Sequence, residues 1–180
     1  MNFVEPIRDM QKLDELKSLL KKRSERDYFL VVLGINTGLR ISDLLRLKVA
    51  DVKGKSHIIL VEKKTGKRKR FLINDSLRKE VDQYVIGKKG DEYLFASTKR
   101  PQPITRVRAY QIINGAAKKI GLSEIGTHTL RKTFGYHFYQ RTKDIATLQM
   151  IFNHSHPSIT LRYIGITQDL IDDAVNRFSL

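Results

Sequence analysis

A chain of 180 residues with 34 Lys plus Arg against 19 Asp plus Glu, a formal charge of +15 and a sequence pI near 10.1, has room for one domain with a real core. Its surface field favours a polyanionic partner, nucleic acid first. The absence of cysteine excludes disulfides, thiol catalysis and cysteine-held metals, and the longest apolar run, residues 28–35, is too short to cross a bilayer. The N-terminus lacks the basic-then-apolar order of a signal peptide, so a cytoplasmic protein with no membrane partner is expected.

In chain order, Asp9 is placed to cap a first amphipathic helix that carries Met10, Leu13, Leu16, Leu19 and Leu20 at helical spacing. Residues 26–36 are apolar on most sides and predict a buried second helix, closed at Thr37-Gly38; a short helix over 42–47 follows. Residues 57–61 and 70–73 are β-prone runs flanking the basic, glycine-containing stretch 62–69, which predicts one hairpin with a cationic tip. Asn74 or Asp75 can cap a helix carrying Leu77, Val81, Tyr84 and Val85, with Gly87 ending it. Thr105 can cap another with Val107, Tyr110, Ile113, Ala117 and Ile120 turned inward, stopped by Gly121. Four more helices are predicted over 129–140, 144–152, 158–164 and 168–178. In the last, Leu170, Ile171, Ala174, Val175 and Phe178 form a stripe suited to a core or a partner. The expected fold is mainly α with a small antiparallel β-hairpin, one α+β domain over residues 1–180.

Three stretches concentrate side chains that suit phosphate: Thr37-Gly38-Leu39-Arg40-Ile41-Ser42-Asp43, then Thr127-His128-Thr129-Leu130-Arg131, then Asn153-His154-Ser155 followed by Tyr163. Cleaving a phosphodiester without metal needs a nucleophile, cations to take up charge on the phosphorane, and an acid for the leaving oxygen. A phenol becomes nucleophilic when a base takes its proton, and arginines donate in a fork while staying charged. Taken singly these residues have blander readings. Arg40 can cap the short helix or pair with Asp43, Lys64 can be part of a solvated turn, and His128 can simply start a helix. His154 and His156 lack the carboxylates or cysteines that would complete a zinc set.

Together the motifs resemble the tyrosine recombinase (phage integrase) family, whose active site runs Arg, Lys, His, Arg, His or Trp, then Tyr along the chain. All six types occur here in that order: Arg40 in Thr-Gly-Leu-Arg, Lys64 in the hairpin beside Lys63, Lys67 and Lys69, His128 and Arg131 in His-x-x-Arg, then His154 and Tyr163. Asn153 stands where the family usually has glycine. The resemblance implies the catalytic-domain fold of that family and a 3′-phosphotyrosine intermediate formed by Tyr163. It assigns phosphate binding to Arg40 and Arg131, leaving-group protonation to Lys64, proton transfer at the tyrosine to His128, and a hydrogen bond to phosphate to His154. Asp43 supports the arginines. No metal or other cofactor is implied.

The partner implied is double-stranded DNA at the nucleoid, in integration or recombination of a mobile element. Self-association on DNA would run through the last helix, and accessory DNA-bending proteins are compatible with it. Lys48, Lys53, Lys67, Arg106, Arg108, Lys132 and Lys143 are candidate phosphate contacts. Family members usually carry a further N-terminal DNA-clamping domain, which is expected to be absent here, whether as an excised fragment or a naturally short enzyme. Two other functions compete: DNA relaxation in the manner of a type IB topoisomerase, and a non-catalytic DNA-binding regulator that keeps the fold.

Overall fold

The computed structural model describes residues 4–178. Helix α1 (Met10–Arg23) begins where the Asp9 carboxylate accepts the Gln11 amide at 2.7 Å, and it buries Leu13, Leu16 and Leu20 while Met10 stays exposed. Ser24 closes α1 through its own N–H and caps α2 (Glu25–Thr37) with its hydroxyl. α2 is buried along nearly its whole length, as its all-round apolar composition requires. Gly38, at φ 62, ends it in the left-handed region. α3 (Ile41–Leu44) is shorter than expected, and the chain continues through Leu45 and Leu47, both buried, into a 3-10 turn at Val49–Asp51.

Strands β1 (His57–Val61) and β2 (Arg68–Leu72) pair antiparallel, with Ile58 opposite Phe71 and Val61 opposite Arg68. The second strand therefore starts two residues earlier than its apolar residues suggest, because backbone pairing extends into the cationic segment. Ile73 has left the ladder, and its N–H reaches the Ser56 carbonyl. α4 (Asp75–Tyr84) is capped by the Asn74 side chain and ends before Gly87, which turns the chain three residues later.

α5 (Arg106–Lys119) starts after its cap Thr105 as expected, and Ile113, Ala117 and Ile120 turn inward as expected, but Val107 and Tyr110 do not. Val107 is 66% and Tyr110 44% exposed, while Ala109, Ile112, Ile113, Ala116 and Ala117 are buried. The buried face joins Ile112 and Ile113 to three alanines, and α5 lies against both α1 and α3.

α6 (Thr129–Thr142) lies between two cores. One side meets α2, with Leu130 against Gly34; the other side, with Phe134 and Phe138, meets a smaller cluster made by Leu148, Phe152, Ile164 and Ile166. That cluster holds α7 (Ile145–Phe152) and α8 (Pro157–Tyr163), which end at the two segments of interest. The strand-like residues before α1 cross α6, where Thr133 Oγ1 accepts the Ile7 N–H and His137 Nε2 meets the Ile7 carbonyl, each at 2.9 Å.

α9 (Ile166–Asn176) begins and ends two residues earlier than expected. Its start is held by Arg8, which donates to both Asp169 oxygens and to the Gly165 carbonyl. Leu170, Ile171 and Val175 on the helix, and Phe178 beyond it, are 47–68% exposed; the Ala174 side chain lies outside the described residues. Among the described residues no helix is long and apolar enough to cross a membrane.

Candidate active site

The turn after α2 sets the first anchor. Thr37 Oγ1 donates to the Leu33 carbonyl and accepts from the Leu39 N–H, and the left-handed Gly38 presents its carbonyl to Arg131 Nη1. A second bond runs from Arg131 Nη2 to the Phe152 carbonyl at 3.0 Å, and the guanidinium stacks on the Phe152 ring at 4.1 Å. Arg131 thus ties the end of α2 to the end of α7. Burial pushes its pKa down to about 10, against the pull of a tyrosinate at position 163 and of Glu62 and Asp43, so it remains a cation at neutral pH.

Arg40, half-buried, does not pair with Asp43. Its Nη1 sits 2.6 Å from Glu62 Oε1, and Glu62 is 1% exposed and also accepts from Thr65 Oγ1. A buried carboxylate is stable here only because it is paired and hydrogen-bonded, and in return it aims the guanidinium. Asp43 meets the hairpin instead: Oδ1 accepts the Lys63 backbone N–H at 2.9 Å, while Oδ2 is buried without a partner among the described residues.

His128 is the residue before α6 and Tyr163 the last residue of α8, and their Nδ1 and Oη atoms stand 3.2 Å apart. With the proton on Nε2, Nδ1 accepts from the phenol. Burial raises the Tyr163 pKa, opposed by the charges of Arg131 and Arg40 and by a hydrogen bond from Arg131. Burial lowers the His128 pKa, and Arg131, Arg106, Lys132 and Arg40 lower it further. His154 packs its ring 5.3 Å from that of Tyr163, and Nδ1 meets Thr160 Oγ1 at 3.0 Å; burial and the two arginines push its pKa down to about 4. Both imidazoles are therefore neutral at pH 7. His156 instead caps α8 through Ser158, so it does not converge with His154.

A cleft of about 430 Å³ opens over Arg40, Arg131 and His128, the partner of Tyr163, and is lined also by Ser42, Lys64 and Arg106 among others. Lys64 comes from the exposed hairpin turn and Arg106 from the start of α5. The remaining cations expected at phosphate do not line this cleft, although Lys132 lies beside it. Lys132 Nζ sits 5.4 Å over the Tyr163 ring, Lys67 reaches Asn153, and Arg108 reaches Gln111. Lys48 lies over the Tyr93 ring, Lys143 donates to Gln140, and Lys53 is exposed in the turn after Asp51. Composition did not single out Glu62, Thr160 or Phe152. Glu62 alone had a visible signal, a lone acid at the head of a cationic turn. The arrangement can grip a phosphate on two guanidinium groups, with a lysine in the same cleft and a phenol held against its proton acceptor beside it.

Residues 9–169 match the phage integrase family. The chain is 56% identical over 169 residues to a probable integrase/recombinase, YoeC, of Bacillus subtilis strain 168, covering 94% of this chain and 93% of that protein. It is 30% identical to a tyrosine recombinase of Pseudothermotoga lettingae, covering 91% of this chain and 58% of that protein. In fold it is similar to the XerH site-specific recombinase in a post-cleavage complex with its palindromic difH substrate, at TM-score 0.75 and 18% identity, over 98% of this chain and 54% of that one. The chain thus spans little more than half the length of the second relative and of the solved structure.

Proposed function

Because this chain belongs to the phage integrase family, we propose that it is the catalytic unit of a tyrosine site-specific recombinase acting on double-stranded DNA. The observation that carries the reading is the 3.2 Å contact of the Tyr163 hydroxyl with His128, beside a cleft walled by Arg40, Lys64 and Arg131.

Tyr163 Oη attacks the scissile phosphorus as its proton passes to His128 Nδ1. The P–O5′ bond breaks, and the departing oxygen takes a proton from Lys64, leaving a 3′-phosphotyrosine and a free 5′-hydroxyl. Arg40 and Arg131 hold the non-bridging oxygens, joined by His154 through the nitrogen not facing Thr160. A 5′-hydroxyl from another strand reverses the step, because the phosphoester is conserved in the covalent link. Arg106 and Lys132 add backbone contacts beside the cleft. The exposed apolar side of α9 supports self-association on DNA, which recombination of two duplexes requires and relaxation of one does not. A DNA substrate is in keeping with a protein that works at the nucleoid.

Nicked duplexes copied from the DNA flanking its own gene, run on a denaturing gel after incubation, test the assignment. Wild type leaves a protein–DNA adduct and Tyr163→Phe leaves none. Arg40→Ala and Arg131→Ala each form adduct at least ~100-fold more slowly, the scale of losing one charge-stabilising donor. Adduct from Tyr163→Phe at the wild-type level overturns the reading.

A further inference from the structure

The hairpin that carries Lys64 is held from two sides. On the α3 side, Glu62 pairs with Arg40 and the Lys63 N–H reaches Asp43. On the other side, Lys67 Nζ donates to Asn153 Oδ1 at 3.0 Å, and Lys69 Nζ donates to the Met150 carbonyl at 2.8 Å, both at the C-terminal end of α7. Residues 62–67 form one closed turn, since the Glu62 N–H reaches the Lys67 carbonyl and the Gly66 N–H reaches the Glu62 carbonyl. Fixing Lys67 therefore restrains Lys64, three residues before it.

Asn153 has φ 55 and ψ 46, a left-handed conformation in which asparagine is tolerated and glycine is unstrained. The backbone could be served by glycine, the residue usual in the resembling motif; what asparagine adds is an amide oxygen, and that oxygen is the one Lys67 holds. Asn153 also directly precedes His154, so the contact spans 86 positions of sequence and joins the hairpin to the segment leading to Tyr163.

We propose that Asn153 is a positioning residue for the leaving-group acid: through Lys67 it latches the hairpin turn to the end of α7 and keeps Lys64 over the cleft. This rests on the assignment of Lys64 as the acid. Lys69 forms a parallel tether, so loss of the Asn153 latch slows the step without abolishing it.

The variant Asn153→Gly removes the amide and leaves the backbone at ease. It is expected to cleave the nicked flanking duplex roughly three- to fivefold more slowly, the scale of one exposed charged contact. Lys67→Ala should match it, the double variant should be no slower than either single one, and Asn153→Asp should restore the rate. On the same duplex with sulfur replacing the bridging 5′-oxygen, the leaving thiolate needs no proton, so Asn153→Gly, Lys67→Ala and Lys64→Ala should all approach the wild-type rate. If Lys64→Ala stays slow there, Lys64 is not the acid and the latch falls with it. If Lys64→Ala recovers while Asn153→Gly is slow on both duplexes, or on neither, the latch alone is overturned. Hydrogen exchange tests it without DNA: Asn153→Gly should speed exchange at the Glu62 and Gly66 amides and leave α2 unchanged. Equal exchange at both amides in the two proteins refutes it.

Discussion

Burial pushes the two ends of the Tyr163–His128 contact apart, raising the phenol and lowering the imidazole. Transfer between them is uphill in the free protein, and Arg40 and Arg131 offset this by favouring the phenolate. The depressed histidine has a compensating use, since it is unprotonated, and so able to accept, over more of the neutral range. The sign follows: as pH falls, the acceptor form is lost only when pH passes the lowered His128 value, below the ordinary 6.5. The acid limb of single-turnover adduct formation should therefore have its midpoint below pH 6.5. A midpoint at or above 6.5 that disappears in His128→Gln would count against this account. At this scale most of the residues that the fold brings together were readable in residue order, because Arg40, His128, Arg131, His154 and Tyr163 fall in short motifs. Glu62 was not singled out, as its role depends on a partner 22 positions away.

Between elements, α6 decides whether the two halves of the site meet. Gly135 faces the smaller core, and a Cβ there would stand 2.7 Å from Ile164 Cγ2 and 2.8 Å from the Phe152 ring. Gly135→Ala should cost about 1–3 kcal/mol as overpacking, seen as an earlier denaturation midpoint, and should slow adduct formation by displacing the ends of α7 and α8. An unchanged midpoint would mean that the cluster yields freely. α9 carries its apolar stripe in plain view, whereas α6 is covered on two sides and shows none, yet the positions of α6 through α9 were legible. The orientation of α5 was not. Val107 and Tyr110 lie at helical spacing as convincingly as Ala109 and Ala116, and only the packing of α5 on its neighbours selects the side that is buried.

For the molecule as a whole, the charge of +15 supports DNA binding that weakens steeply with salt, while the exposed apolar side of α9 is the surface proposed for self-association. Deleting the residues after Ile166 should lower self-association on DNA, measured by crosslinking, by more than it lowers DNA affinity; unchanged oligomer size would remove α9 from the interface. Arg8→Ala, which frees Asp169 and the Gly165 carbonyl, should leave affinity nearly unchanged. Residue order alone carried the family resemblance, the helical class and the hairpin, because motifs, caps and periodicity are local. The pairing of Arg40 with Glu62, the grip of Arg131 on Gly38 and Phe152, and the latch from Lys67 to Asn153 exist only in the folded chain. Each joins segments separated by 21 to 93 positions, and such contacts are set by how helices pack, which no local pattern records.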